Sequence, residues 1–152
     1  QGEKEMKKVI ISLFMLASLS LAMEAGTKSF GGGGSLNDLT GDAMMLDVNA
    51  NVGYFAIDNM EVMVGLGLGG TTDDMTMNYR LGGNYYMGSM YGGATYSGGD
   101  GFDDGALDFR GGYLMGCGEG STFLNLYGNY HMSMADGAEG VLSVGFGIVT
   151  FF

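Results

Sequence analysis

Residues 49–68, NANVGYFAIDNMEVMVGLGL, decide how the rest of the chain is read. Ala50, Val52 and Tyr54 alternate with Asn49, Asn51 and Gly53. After a break, Met60, Val62, Val64, Leu66 and Leu68 alternate with Glu61, Met63, Gly65 and Gly67. Successive side chains of an extended strand leave opposite faces of a sheet, so this period of two marks strands. Between the runs lies Ala56-Ile57-Asp58-Asn59, whose Asp and Asn side chains bond their own backbone and favour a tight turn. The stretch predicts a β-hairpin with one apolar face and one small or polar face.

The alternation extends in both directions. A first strand is expected over 26–36, with Phe30, Gly32, Gly34 and Leu36 on one face. A second is expected over 42–55, with Met44, Leu46 and Val48 opposite Asp47, Asn49 and Asn51. The third is 60–71. The fourth, 74–87, sets Met75, Met77, Tyr79, Leu81, Tyr85 and Met87 against Thr76, Asn78, Arg80 and Asn84. Gly88-Ser89 turn into a glycine-rich fifth strand over 90–97, whose facing the pattern does not fix. The sixth, 105–116, separates Leu107, Phe109, Tyr113 and Met115 from Ala106, Asp108, Arg110 and Gly112. The seventh, 122–134, separates Leu124, Leu126, Tyr130, Met132 and Met134 from Asn125, Tyr127, Asn129, His131 and Ser133. The eighth, 140–152, carries Leu142, Val144, Phe146, Ile148 and Phe152 on one face.

An even number of strands joined alternately by tight turns and longer loops is the pattern of a bacterial outer-membrane barrel. Most strands reach the roughly 9–11 residues that a tilted strand needs to cross a bilayer. A soluble barrel points its apolar face inward. Here the polar face is interleaved with glycine, which suits a narrow lumen, and the other face is large and apolar throughout. The expected fold is therefore all-β: an eight-stranded, antiparallel, up-and-down transmembrane barrel with its apolar face toward lipid.

Targeting signals point the same way. Met6-Lys7-Lys8 followed by an apolar run to Ala22 reads as a helical secretory signal peptide. Cleavage is expected after Ser20-Leu21-Ala22, with Ala25 as the second choice. The run is shorter than the roughly 20 residues of a membrane helix. The organisation expected is thus upstream sequence over 1–5, a leader over 6–22 (or 6–25), and a barrel over 26–152.

Composition excludes several classes. Beyond Ala22 the only basic residues are Lys28, Arg80 and Arg110, and of the 17 acids only Glu3 and Glu5 precede it. Such a chain would repel nucleic-acid phosphates. The 31 glycines accompany 46% hydrophobic residues and no proline, which is not the composition of a disordered chain. One cysteine, Cys117, and one histidine build neither an internal disulfide nor a zinc site. No cofactor is expected.

The hairpin VGYFAIDNMEVMVGLGLG resembles the periplasmic GYF-x-x-DN-hydrophobic hairpin of small outer-membrane β-barrel proteins, the OmpA/OmpX/OmpW-like group. Val144, Phe146, Ile148 and the final Phe152 are similar to the C-terminal assembly signal of such barrels. Thr150 departs from it, since an apolar residue is usual there. The resemblance implies a monomer in the outer membrane of a Gram-negative cell, contacting lipid and the barrel-assembly machinery through its last strand. It also implies a non-enzymatic role in membrane integrity, adhesion or docking of an external partner. A small binding barrel for an apolar ligand is the OmpW-like alternative.

Chemistry-bearing residues gather on the polar face. Asp47, Glu61, Arg80, Asp108, Arg110 and His131 are expected to form a paired lumen network, because an unpaired charge in a narrow barrel is costly. Pairing about the Glu119-Gly120 turn brings Asp108 to His131 and Arg110 to Asn129. His131-Met132-Ser133 resembles the His-x-Ser motif of outer-membrane lipid A deacylases, with Asp108 or Glu139 available to orient the base. Met134 stands where the family has Asn, and parity points both groups into the lumen. Asp100, Asp103 and Asp104 resemble a calcium loop at the wrong spacing for an EF-hand. With the other loop acids they read as a solvated surface, the alternative being a weak divalent-cation site bridging to anionic lipid headgroups.

Overall fold

The computed structural model describes residues 23–37, 45–71, 73–99 and 102–152, with residues 36, 37, 45 and 102–104 entering through their backbone only. The expected leader, the residues before it, Asp38, Asp42 and Asp100 lie outside the described residues.

Eight strands follow one another: β1 (Lys28–Asn37), β2 (Met45–Ile57), β3 (Met60–Thr71), β4 (Asp74–Met87), β5 (Met90–Gly99), β6 (Phe102–Gly116), β7 (Thr122–Ser133) and β8 (Val141–Phe151). Each pairs antiparallel with the next, and β8 closes on β1 from Ser29↔Phe151 to Ser35↔Gly145. The molecule is a closed, all-antiparallel, up-and-down barrel with no free sheet edge. Closure matters because an open edge leaves a row of unpaired N–H and C=O groups.

The opening hairpin forms with a tighter turn than the expected four-residue one. Ile57 pairs with Met60, and the register shifts between Phe55 and Ile57, so Ala56 is a bulge and only Asp58-Asn59 turn. Asn59 adopts φ 63°, a left-handed conformation that Asn tolerates better than most residues. A second difference lies between β5 and β6. The glycine-rich 98–104 region reads as a loop by pattern, yet both strands run into it. The register shifts between Ser97 and Gly99, and Gly105 takes φ 75°, so an irregular pair replaces the clean alternation that marks strands.

Facing follows parity. Val64, Leu66, Leu81, Leu126, Phe146 and Ile148 cover the outer surface, Leu66 with 62% of its area exposed. Glu61, Met63, Asn78, Ser97 and Asp108 face inward and are buried. Tyr54, Tyr85 and Phe152 stand near the turn end of this outer face, and Tyr79, Tyr96 and Tyr130 nearer the loop end.

The lumen is divided along its length. At the turn end, Phe55, Tyr86, Tyr91, Leu114, Tyr127, Val149 and Phe151 form an apolar stopper with Met23, and Phe123 packs against it. Phe55 and Tyr86 have ring centroids 5.3 Å apart, as do Tyr86 and Tyr91. Above this stopper the interior is polar. An eight-strand lumen just filled by side chains is thus what the turn end has, but not the loop end.

Candidate functional site in the barrel lumen

Inward parity on β2, β3, β4, β6 and β7 delivers the titratable residues to the lumen, and strand register decides which of them meet. Arg80 on β4 donates through one terminal nitrogen to both carboxylate oxygens of Asp47 on β2, at 3.1 Å each. Asp108 on β6 has three hydrogen-bond partners. It accepts from Ser97 Oγ at 2.7 Å and Asn129 Nδ2 at 2.9 Å, and it meets His131 Nδ1 at 2.8 Å. Asp108 stands opposite His131, and Arg110 opposite Asn129, in the β6–β7 register.

Two charges depart from the expected ion-pair network. Glu61 is only 4% exposed and has no cation beside it among the described residues. Its carboxylate instead accepts from Ser29 Oγ, from Asn84 Nδ2 at 2.8 Å and from the Tyr86 hydroxyl at 3.0 Å. Three donors satisfy a buried carboxylate without a countercharge. Arg110 meets no carboxylate among the described residues. Its guanidinium lies over the Tyr127 ring, 4.3 Å from the centroid, where the π face takes the place of an anion.

Above Arg110 a cavity of 310 Å³ opens within the loop half of the barrel, lined by Asp47, Asn78, Arg80, Asp108, Asn129 and His131 among others. Asn78 is 2% exposed, and neither atom of its amide has a partner among the described residues. Arg80 Nε and Asn129 Oδ1 are in the same position. A space of this size admits ordered water, which satisfies groups that a protein leaves open. Charged and amide side chains share its wall with Leu46, Tyr127 and Val141.

His131 and Ser133 both face the lumen side of β7, His131 in the cavity wall and Ser133 two residues nearer the loop. Ser133 Oγ accepts the Ala135 amide at 3.3 Å. Glu139 is exposed in the β7–β8 loop. Chemically, the Asp108–His131 pair could orient an imidazole as a base, as such pairs do in hydrolases.

Val144, Phe146, Ile148 and Phe152 project from the outer face of β8 and its end. Thr150, the exception to the expected signal, sits opposite Thr122 on β7 with the two hydroxyls 3.0 Å apart. Asp103 and Asp104 belong to β6 by backbone, and Asp73, Asp74, Asp136 and Glu139 are exposed at the loop end. No cluster of three or more His, Cys, Asp or Glu suited to a metal occurs among the described residues.

Sequence reasoning missed the partners more than the charges. Ser29, Asn78, Asn84, Tyr86, Ser97 and Asn129 complete the site. Parity was the signal where facing could be read: Asn78, Asn84 and Tyr86 share the face of Arg80, and Asn129 that of His131. Ser97 was hidden because glycine-rich β5 shows no facing of its own.

The fold and lumen define a class: a closed eight-stranded barrel, apolar outside and polar inside. A solved structure described as "De novo design of transmembrane beta-barrels" superposes on this chain with a TM-score of 0.60 at 17% identity, over 87% of this chain and 100% of that one. At that identity the likeness is one of fold. No protein-family profile and no curated protein matches the chain.

Proposed function

We propose that the protein is an integral, non-enzymatic barrel of the outer membrane, similar in kind to the OmpA/OmpX/OmpW-like proteins, with a structural or surface-interaction role. The observation that carries this reading is the uninterrupted apolar outer belt. Fully burying one large apolar side chain is worth about 1.5–3 kcal/mol. More than twenty such side chains face outward here, and the cost of holding them in water rather than in lipid exceeds the about 5–15 kcal/mol net stability of a typical domain. A bilayer removes that cost. Tyrosines toward both ends of the belt resemble the aromatic girdles of membrane barrels.

The apolar stopper supports a sealed barrel rather than a pore. A small apolar ligand would have to desolvate the Asp47–Arg80 and Asp108–His131 pairs in the cavity wall, which is costly. Outer-membrane lipid and, through β8, the assembly machinery are the contacts this reading implies. The protein works as a monomer and needs no cofactor. The test is heat-modifiable gel mobility of the membrane fraction. A folded barrel migrates differently before and after boiling, and a protein recovered only in the soluble fraction would overturn the reading.

The Asp108–His131 pair keeps one enzyme reading in view, that of a lipid A deacylase using His131 and Ser133. Lipid A from cells expressing wild type, His131→Asn and Ser133→Ala is expected to show one acylation pattern by mass spectrometry. An acyl chain removed by wild type alone would establish the enzyme.

A further inference from the structure

Residues 23–27 lie before the first strand, yet they are knitted into the barrel. Met23 is 5% exposed, with its side chain in the aromatic stopper. Its backbone brackets Asn59: the Met23 amide donates to Asn59 Oδ1 at 3.2 Å, and the Met23 carbonyl accepts the Asn59 amide at 2.8 Å. The Ala25 amide donates to Asp58 Oδ1 at 2.8 Å. The Thr27 amide donates to the Glu24 carbonyl at 3.2 Å, and the Gly26 amide to the Phe55 carbonyl at 2.8 Å. These bonds hold the Asp58-Asn59 turn, including the left-handed Asn59, from the side opposite β3.

We propose that a leader peptidase hydrolyses the bond between Ala22 and Met23, and that residues 23–25 remain as a clasp closing the turn end of the mature barrel. The inference rests on the export reading above. The sequence permits cleavage after Ala22 or after Ala25, because both present a small residue at the scissile position. Only the first keeps the clasp. Cleavage after Ala25 would discard the Met23 side chain from the stopper, both bonds to Asn59 and the bond to Asp58.

The product of this cleavage keeps the clasp's first bond. Water adds across the Ala22–Met23 peptide, leaving a carboxylate on Ala22 and an ammonium on Met23. That new ammonium takes over the donor position toward Asn59 Oδ1, on a turn that also carries the Asp58 carboxylate. A charged donor makes a stronger hydrogen bond than the amide it replaces. Processing therefore reinforces the clasp.

The experiment is N-terminal sequencing of the protein recovered from the membrane fraction of a Gram-negative host expressing the full chain. Met-Glu-Ala-Gly is expected. Gly-Thr-Lys-Ser would overturn the clasp while leaving a processed membrane barrel in place. An uncut chain outside the membrane fraction would overturn the export reading, and this inference with it. A second measurement addresses the clasp itself: Met23→Gln should lower the thermal midpoint of the detergent-folded barrel by several degrees, while Glu24→Gln, at an exposed side chain, should not. Equal midpoints for wild type and Met23→Gln would show that the segment holds nothing.

Discussion

Glu61 shows how a single residue can be legible in position and illegible in partnership. Parity on β3 places it in the lumen, and the general cost of buried charge predicts a cation beside it. The structure surrounds it with hydroxyl and amide donors from β1 and β4 instead. Those donors are dispersed in sequence and converge only when the strands pair. Glu61→Gln puts an N–H where a donor already points, leaving a buried group unsatisfied. We expect a loss of about 1–3 kcal/mol in urea titration of the detergent-folded protein. No loss would mean that the three donors find other acceptors.

Elements fail and succeed at their seams. β1 meets β8 with Gly33 opposite Gly147, and a Cβ on Gly33 would come within 2.6 Å of the Phe146 carbonyl oxygen. The obstacle is backbone, so Gly33→Ala must part the closing strands. A destabilisation of about 1–3 kcal/mol is expected. Gly128→Ala on β7 meets nothing nearer than 4.0 Å and should stay within about 0.5 kcal/mol of wild type. Equal effects would mean that the seam yields without cost. The outer face makes the second prediction of this scale. Val64→Arg or Leu126→Arg places a charge toward lipid at mid-strand and should cost about 2–4 kcal/mol in lipid vesicles. A lumen position is not a free control, since a Cβ at Gly67 would crowd Asn78 Oδ1 at 2.6 Å.

The whole molecule is polarised from end to end. Short turns, the aromatic stopper and the clasp occupy one end; the cavity and the longer β7–β8 loop occupy the other. In the proposed orientation the turn end faces the periplasm. Cys117, the single cysteine of the chain, is exposed at that end. A membrane-impermeant thiol reagent should therefore miss it in intact cells and reach it once the outer membrane is permeabilised. Asp136→Cys in a Cys117→Ser background should label in intact cells. The reverse pattern would invert the topology.

Strand number, the facing of most strands and the inside-out distribution of polarity were determined by the sequence itself. Each follows from local alternation, and an extended chain must project neighbouring side chains to opposite faces. The long, regular β3 and β4 could be read to their ends for that reason. Glycine-rich β1 and β5 were read less fully, since a residue without a side chain records no facing. Tertiary structure alone decided that Glu61 is held by hydroxyl and amide donors and that Arg110 rests on Tyr127. It alone decided that the loop half of the lumen holds a cavity with charged and amide side chains in its wall and that Met23 belongs to the stopper. Each depends on pairing register: Arg110 reaches Tyr127 through the β6–β7 register, Glu61 reaches Ser29 across β2, and the cavity and stopper draw on strands all around the ring, none of which a local pattern encodes.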